Sequence, residues 1–111
     1  MLNEISVDRI FHALADPTRR DMVEVLAAGA MPVTVLARRY DMSLSAVSQH
    51  LKVLIEGGVV KAVKDGRIRT CSIQAPALAF IADWATARRH MLDSRLHGLE
   101  RYLATERKEP Q

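Results

Sequence analysis

Apolar residues recur at helical spacing over most of the 111-residue chain, and this pattern predicts five helices. The first predicted helix covers about residues 4–15, and a short third helix covers about residues 33–40. The second helix begins after Asp16, which is suited to be its N-cap, and has Pro17 in its first turn. Its predicted end is Gly29, in the left-handed conformation. The side chains expected to face inward from these three helices are Ile10, Phe11, Leu14, Met22, Val23, Leu26, Val33, Leu36 and Ala37.

The fourth predicted helix, about residues 44–57, carries two distinct faces. One side of the helical wheel is an apolar stripe that is expected to be buried, formed by Leu44, Val47, Leu51 and Leu54. A second arc, about 100° wide, carries polar side chains. These are Ser45, Ser48, Gln49, Lys52 and Glu56. One face therefore anchors the helix, and the other is free to present polar groups to a partner.

The segment after this helix predicts a β-hairpin. Gly57 and Gly58 stop the helix, and "VVKAVKDGRIRTCSI", about residues 59–73, is rich in β-branched residues around an Asp65-Gly66 turn. Its basic side chains near the tip are Lys61, Lys64, Arg67 and Arg69. A short helix, a tight turn, a helix with an exposed polar face and a basic hairpin together predict a winged helix-turn-helix. The expected fold class is mostly α with a small β-hairpin wing (α+β), in a single domain.

A winged helix-turn-helix has the shape to bind DNA. An α-helix fits the major groove of B-DNA, where base edges distinguish all four base pairs. The residues expected to meet base edges are Ser43, Ser45, Ser48 and Gln49. Gln49 suits a bidentate contact with adenine, Lys52 suits a phosphate, and Ser43 is also suited to be the N-cap. The wing cations expected on the DNA backbone or in the minor groove are Lys64, Arg67 and Arg69. His50 is left between two roles, packing on a neighbouring helix and contacting DNA.

Charge and composition support this interpretation. The formal net charge is +3, and residues 38–69 carry seven Lys and Arg against three acidic residues, a net of +4 that favours a polyanionic partner. Apolar residues are 49% and charged residues 26%, which is typical of a soluble globular protein. A single cysteine, Cys71, excludes an intrachain disulfide, and it is expected to be an inert buried residue. The single cysteine also suits a reducing cytoplasm, where the protein is expected, and no apolar run is long enough to span a bilayer.

Two stretches together resemble the ArsR/SmtB family of bacterial winged-helix repressors. They are "HALADPTRRDMVEVLAAG" and "VTVLARRYDMSLSAVSQHLKVLIEGGVVKAVKDGRIRTCSI", and the resemblance runs from about Phe11 to Ile73. It implies a homodimer that represses a promoter by binding a near-palindromic operator, with its own gene as one target. It also implies that the N-terminal and C-terminal helices form the dimer interface.

The last predicted helix, about residues 76–105, supports a dimer independently. Its apolar stripe comprises Leu78, Ile81, Ala85, Leu92, Leu96, Leu99 and Leu103, widened by Trp84, Met91 and Tyr102. So wide a face exceeds what one contact with a small domain needs, although packing only within the subunit is the alternative. The residues expected at the interface are Ile10, Leu92, Leu96, Leu99 and Leu103. Arg88 and Arg89 interrupt the stripe, and either pair with acids of the partner or extend into water.

The metal sites for which the family is known are not expected in this chain. The positions that match the cysteine pair of the third helix hold Pro32 and Thr34. His97 and Glu100 match one half of the zinc site on the last helix. The positions of the other half hold Trp84 and Thr86, neither of which binds zinc. We therefore expect no metal and no cofactor.

Two other classes of function are alternatives to DNA binding. An enzyme is not expected, because the sequence has no glycine-rich phosphate loop and no nucleophile with a credible base. A winged helix used as a protein–protein interaction module is the remaining alternative. Such a module would have an apolar or acidic recognition face and no basic wing, which is the opposite of what residues 44–69 carry.

Overall fold

The computed structural model describes residues 5–108 of the chain. The helices are α1 (Val7–Ala13), α2 (Pro17–Ala27), α3 (Val33–Ala37), α4 (Leu44–Glu56) and α5 (Ala75–Lys108). The strands are β1 (Met31–Pro32), β2 (Val60–Asp65) and β3 (Ile68–Ile73). The chain divides into two compact units, Met1–Phe80 and Ile81–Gln111. Five helices and a small wing confirm the predicted fold class, whereas the predicted helix start at residue 4 lies outside the described residues.

Local capping explains where the first two helices begin. The Ser6 hydroxyl accepts a hydrogen bond from the Arg9 backbone N–H at 3.3 Å at the start of α1. The Asp16 carboxylate accepts one from the Arg19 backbone N–H at 3.1 Å, and Pro17 opens α2 as predicted. Each cap satisfies a donor that the first turn of a helix leaves without an intrahelical partner.

The prediction that Gly29 adopts the left-handed conformation was wrong. Among the described residues, only Gly58 and Gly66 have a positive φ. At the end of α2 the N–H groups of Ala28 and Gly29 bond to the carbonyls three residues earlier, at 3.2 and 3.1 Å. The last turn therefore tightens in the 3₁₀ manner, and no residue has to reverse its φ angle.

Two adjacent glycines end α4 for different reasons. Gly58 has φ 78°, and the N–H groups of Gly58 and Val59 bond to Ile55 and Leu54 at 2.9 and 3.0 Å, which is the Schellman arrangement. At Gly57 a Cβ atom would lie 2.9 Å from Ala13 Cβ. Gly57 therefore permits the close approach of α1 to the end of α4.

The wing belongs to a three-stranded antiparallel sheet with strand order β1-β3-β2. In the hairpin, Val60 pairs with Ile73 and Asp65 pairs with Ile68. The two-residue turn is therefore Gly66-Arg67, one residue later than predicted, and Gly66 takes the positive φ at its first position, as type II′ turns require. Strand β1, which pairs with β3 at Cys71 and Thr70, was not predicted because two residues show no alternation.

The core of the first unit lies between α1–α4 and one face of the sheet. Its buried apolar residues are Ile10, Ala13, Met22, Leu26, Val33, Leu36, Val47, Leu51, Leu54, Val59, Val60, Cys71 and Ala77. Phe11 and Leu44, which the pattern placed inside, are 44% and 54% exposed. Ile10, expected at a dimer interface, is fully buried in its own unit, so its side chain has no surface to offer a partner. Burial raises the pKa of the Cys71 thiol, as expected for an inert cysteine.

The described part of the second unit is a single helix, the continuation of α5. Its leucines at positions 92, 96, 99 and 103 are 47–56% exposed. The Arg88 guanidinium lies 4.5 Å from the centroid of the Trp84 ring, and Arg89 lies 3.9 Å from the Asp93 carboxylate. The two mid-helix arginines therefore have contacts on their own helix. No helix within the described residues is both long and apolar enough to cross a membrane.

Candidate nucleic-acid interface

The first turn of α4 is fixed by a side-chain cap. The Ser43 Oγ accepts a hydrogen bond from the Ala46 backbone N–H at 3.0 Å, which is the N-cap role that the sequence left open. In this bond Oγ is the acceptor, so the hydroxyl hydrogen of the exposed Ser43 remains available to donate. The cap thus orients the helix start without using all of the polar capacity of Ser43.

The polar arc of α4 faces outward, next to the wing. Ser45, Gln49 and Lys52 are exposed, and Ser48 is half-buried. One groove is lined by these four residues, by Ile55 and Glu56 at the end of α4, and by Arg69 of β3. A second groove is lined by Ser48 and by the wing residues Lys64, Arg67 and Arg69. The structure therefore brings together seven of the predicted DNA-contacting residues, with Ser48 and Arg69 common to both grooves.

The strand register determines which wing cations face α4. Lys64 is paired with Arg69, and the next pair on that sheet face is Ala62 with the buried Cys71. Because side chains alternate between the two faces of a strand, Lys64 and Arg69 extend the face that packs on the core. Lys61, paired with Ser72, belongs to the opposite face.

The Lys64–Arg69 pair is electrostatically unfavourable in the protein alone. Like charges directly opposite each other on neighbouring strands destabilise a sheet. Within the described range 5–108, the ion pairs are His50–Asp16 and Arg89–Asp93, so neither wing cation has a carboxylate within 4.0 Å. An anion bound between the two strands would relieve this repulsion.

His50 turns away from the grooves and towards the start of α2. Its Nδ1 lies 3.2 Å from a guanidinium nitrogen of Arg19 and 3.9 Å from the Asp16 carboxylate. Arg19 is always a donor, so a neutral His50 accepts this hydrogen bond through Nδ1. The hydrogen bond from the backbone N–H of Arg19 holds the pKa of the Asp16 carboxyl below its usual value. The packing role of His50 is thus present, while its contact with DNA stays a prediction.

Arg19 joins three helices. Its guanidinium donates to the carbonyls of Ala13 at 2.7 Å and His12 at 3.2 Å, which end α1, while it contacts His50 of α4. Arg20 donates to the Leu14 carbonyl at 2.8 Å. Two adjacent arginines therefore cap the C-terminus of α1, where positive charge is favourable.

Replacing Arg19 by alanine is expected to lower the free energy of unfolding by about 2–3 kcal/mol. The partly buried Ala13 carbonyl, the exposed His12 carbonyl and His50 would lose their donor, and hydrogen bonds to charged groups contribute about 1.5–3 kcal/mol. Arg20→Ala is the matched control, because it removes one exposed bond and should cost about 1 kcal/mol. Urea unfolding monitored by circular dichroism measures both. Equal stability of Arg19→Ala and the wild type would show that the three-helix contact is not formed in solution.

The chain matches known DNA-binding regulators. Residues 14–63 match the family described as a helix-turn-helix domain. The HTH-type transcriptional regulator Rv2034 of Mycobacterium tuberculosis is 59% identical over 49 residues, which are 44% of this chain and 46% of that regulator. The transcriptional repressor SdpR of Bacillus subtilis is 27% identical over 78 residues, covering 70% of this chain and 87% of the repressor. The chain thus spans less than half of the first relative and most of the second.

Solved structures decide the family. The crystal structure of an ArsR family transcriptional regulator is 34% identical, with a TM-score of 0.75, and the match covers 79% of this chain and 91% of that one. The chain belongs to the ArsR family. Another neighbour is the homodimeric winged helix-turn-helix DNA-binding domain Mb0332 of Mycobacterium bovis, at 27% identity and a TM-score of 0.62. That match covers 79% of this chain and 82% of the other.

As a member of the ArsR family, the chain raises the question of a metal site. Within the part of the chain that the structure describes, no group of three or more His, Cys, Asp or Glu residues could hold a metal ion. His97 and Glu100 are both exposed on α5. The absence of a metal site stays a prediction that rests on Trp84 and Thr86, since an indole and an isolated hydroxyl do not complete a zinc site.

The sequence patterns did not place five of the residues that line the second groove of this ArsR-family chain at the interface. They are Pro32, Val33, Thr34, Leu44 and Ile68. Leu44 was assigned to the buried stripe of α4, yet it is more than half exposed because it precedes the first residue of the stripe that reaches the core, Val47. Its position directly after the N-cap Ser43 was the available signal in the sequence, because a residue in the first turn of a helix can remain exposed.

Proposed function

We propose that this chain is a homodimeric repressor that binds a near-palindromic operator and places α4 of each subunit in the major groove. The observation that carries the proposal is the grouping of the α4 polar arc with three wing cations in two adjoining grooves. Repression is supported by the similarity to SdpR, a transcriptional repressor, and dimerisation by the similarity to a homodimeric domain. Such a regulator works in the cytoplasm, where thiols such as the single cysteine stay reduced.

In this proposal α4 reads sequence with its N-terminal half. The helix has 13 residues and is about 20 Å long, which suits a major groove about 12 Å wide. Ser45, Ser48 and Gln49 lie where base edges are within reach, and Gln49 has the paired donor and acceptor that adenine needs. Lys52, one turn further along, meets the phosphate backbone and fixes the register without reading sequence.

The wing supplies affinity. Lys64, Arg67 and Arg69 surround the tip of the hairpin, and a phosphate between Lys64 and Arg69 compensates their mutual repulsion. Each neutralised phosphate releases condensed counterions, so this contribution is strong at low salt and falls as salt rises. The basic, polar character of this surface disfavours the alternative of a protein-interaction module.

The dimer interface is proposed for the leucine face of α5. Leu92, Leu96, Leu99 and Leu103 are spaced four, three and four residues apart, so they share one side of the helix. Four exposed leucines in a row form a larger apolar surface than scattered single residues do. A second copy of this chain covers that surface. The two α4 helices of the dimer then meet half-sites about one helical turn, roughly 34 Å, apart.

Selection from a random library of 30-base-pair duplexes with the purified chain tests this function. We expect enrichment of one near-palindromic sequence whose half-sites are separated by about one helical turn. The enriched duplex, called the selected duplex below, then serves as the probe for all variants. Absence of enrichment after repeated rounds would contradict sequence-specific binding.

Replacing Gln49 by alanine is expected to weaken binding to the selected duplex by about 1–3 kcal/mol per half-site, because one bidentate base contact is lost. Binding to a random duplex should hardly change, since that binding comes from phosphates. Fluorescence anisotropy with both duplexes measures the two affinities. Lys52→Ala is the matched control on the same face, and it should weaken both equally. If Gln49→Ala also weakened both equally, Gln49 would not determine specificity.

A further inference from the structure

Leu44 occupies an unusual place on α4. It is the first residue of the helix and is 54% exposed, whereas the rest of its predicted stripe, Val47, Leu51 and Leu54, is 0–1% exposed. The core of the first unit therefore does not account for a leucine at this position. More than half of this apolar side chain is therefore available to a binding partner.

The position of Leu44 links it to the base-reading face. Leu44 precedes Ser48 by four residues, so the two side chains lie one above the other on the same side of the helix. Both line the groove that contains the wing cations Lys64 and Arg67. Leu44 thus lies beside the polar arc, one residue before Ser45, at the end of α4 that enters the major groove first in the proposed complex.

The groove offers both charge and apolar surface. Lys64 and Arg67 line it beside Leu44, so it combines sites for phosphate with an exposed apolar side chain. Ile68 also borders the groove, although its side chain alternates with that of Arg69 and belongs to the opposite face of the wing. DNA offers both phosphates and an apolar group, because thymine carries a 5-methyl group on the edge that faces the major groove.

We propose that Leu44 contacts a thymine 5-methyl group in each half-site and thereby raises the affinity for duplexes that have thymine at that position. This inference rests on the proposed function, since it requires α4 to enter the major groove. Cytosine and uracil lack the methyl group, so a protein that reads this position through Leu44 discriminates against both. Ser45 and Gln49 read their bases by hydrogen bonds, whereas Leu44 reads by apolar contact.

Replacing thymidine by deoxyuridine in the selected duplex tests the contact directly. The exchange removes only the 5-methyl group and leaves base pairing intact. Each symmetric pair of thymines is exchanged in turn. At one pair, the wild-type affinity is expected to fall about fourfold for each lost methyl contact, or roughly 15-fold for both half-sites. Leu44→Ala should bind the thymine and uracil forms of that duplex equally.

Two further variants separate contact from folding. Leu44→Met keeps a flexible apolar side chain and should retain most of the preference for thymine. Val63→Ala is the matched control, because Val63 is 55% exposed on the face of the wing that Lys64 and Arg69 do not share, and it should retain the full preference. Thermal unfolding of each variant confirms that the fold is intact.

The outcomes distinguish the inference from the function on which it rests. If uracil exchange at every thymine left wild-type binding unchanged, or if Leu44→Ala kept the same uracil penalty, the contact would be disproved while operator binding stood. A selected duplex without thymine in its half-sites would also overturn it. If the library gave no selected duplex at all, the proposed function and this inference would fail together.

Discussion

Replacing Leu96 and Leu99 by aspartate is expected to convert the dimer into a monomer and to lower affinity for the selected duplex by about 100-fold or more. Each buried leucine contributes about 1.5–3 kcal/mol of apolar burial, and two per subunit make four at a symmetric interface. The substitutions also place unpaired carboxylates where apolar surface would be buried. A monomer then contacts one half-site and loses the advantage of linked binding.

Sedimentation equilibrium and anisotropy titrations measure these two effects. The matched control is the double variant Ala87→Asp and Ser94→Asp, which adds the same charge to α5 on the side opposite the leucines. It should remain a dimer and bind the selected duplex normally. A dimeric Leu96→Asp, Leu99→Asp protein would contradict the proposed interface, and a monomeric one with wild-type affinity would contradict the requirement for a dimer.

Replacing Lys64 and Arg69 by alanine is expected to weaken binding to the selected and random duplexes alike. If each cation neutralises one phosphate, a dimer loses four phosphate contacts, and the slope of log affinity against log salt falls by about 3–4. The fold should be unharmed or slightly stabilised, because the variant removes a like-charged cross-strand pair. This combination of weaker binding and unchanged stability separates a role in DNA binding from a role in folding.

Titrations between 50 and 200 mM salt measure the slope, and thermal unfolding measures the stability. Lys61→Ala is the control, because Lys61 is a wing lysine on the opposite face of β2. It should leave the slope close to that of the wild type. A slope equal to the wild type in the Lys64, Arg69 variant would show that the wing does not contact phosphates.

Features with a local cause could be predicted from the sequence. The Asp16 cap, the buried residues Val47, Leu51 and Leu54, and the exposed arc of Ser45, Gln49 and Lys52 each depend on residues a turn or two apart. Helical periodicity and capping chemistry act over that range. The polar face of the candidate interface was therefore visible before the structure, as was the charge of the wing.

Features that depend on distant parts of the chain could not be predicted in this way. Arg19 meets His50 across 31 residues, and β1 exists only because two residues find a partner in β3. Ile10 shows the same limit, since periodicity marks it as apolar without saying whether its own core or a second subunit covers it. The structure assigns it to its own core.

The two predicted helix-ending glycines show how context decides between alternatives. Gly58 takes the left-handed conformation and is followed by Val59, which is fully buried, whereas Gly29 does not and is followed by the exposed Ala30. A Schellman end is commonly accompanied by an apolar contact from the residue after the glycine. Val59 supplies a buried side chain at that position and Ala30 does not, so the same residue type ends two helices differently.

Sequence-specific binding is tested most directly by the affinity of the wild-type chain for the selected duplex against a scrambled duplex of the same length, at physiological salt. We expect a preference of about 10³-fold or more for the selected duplex, as sequence-specific regulators show. Equal affinity for the two duplexes would contradict it, because binding would then rest on phosphates alone and α4 would not be reading sequence.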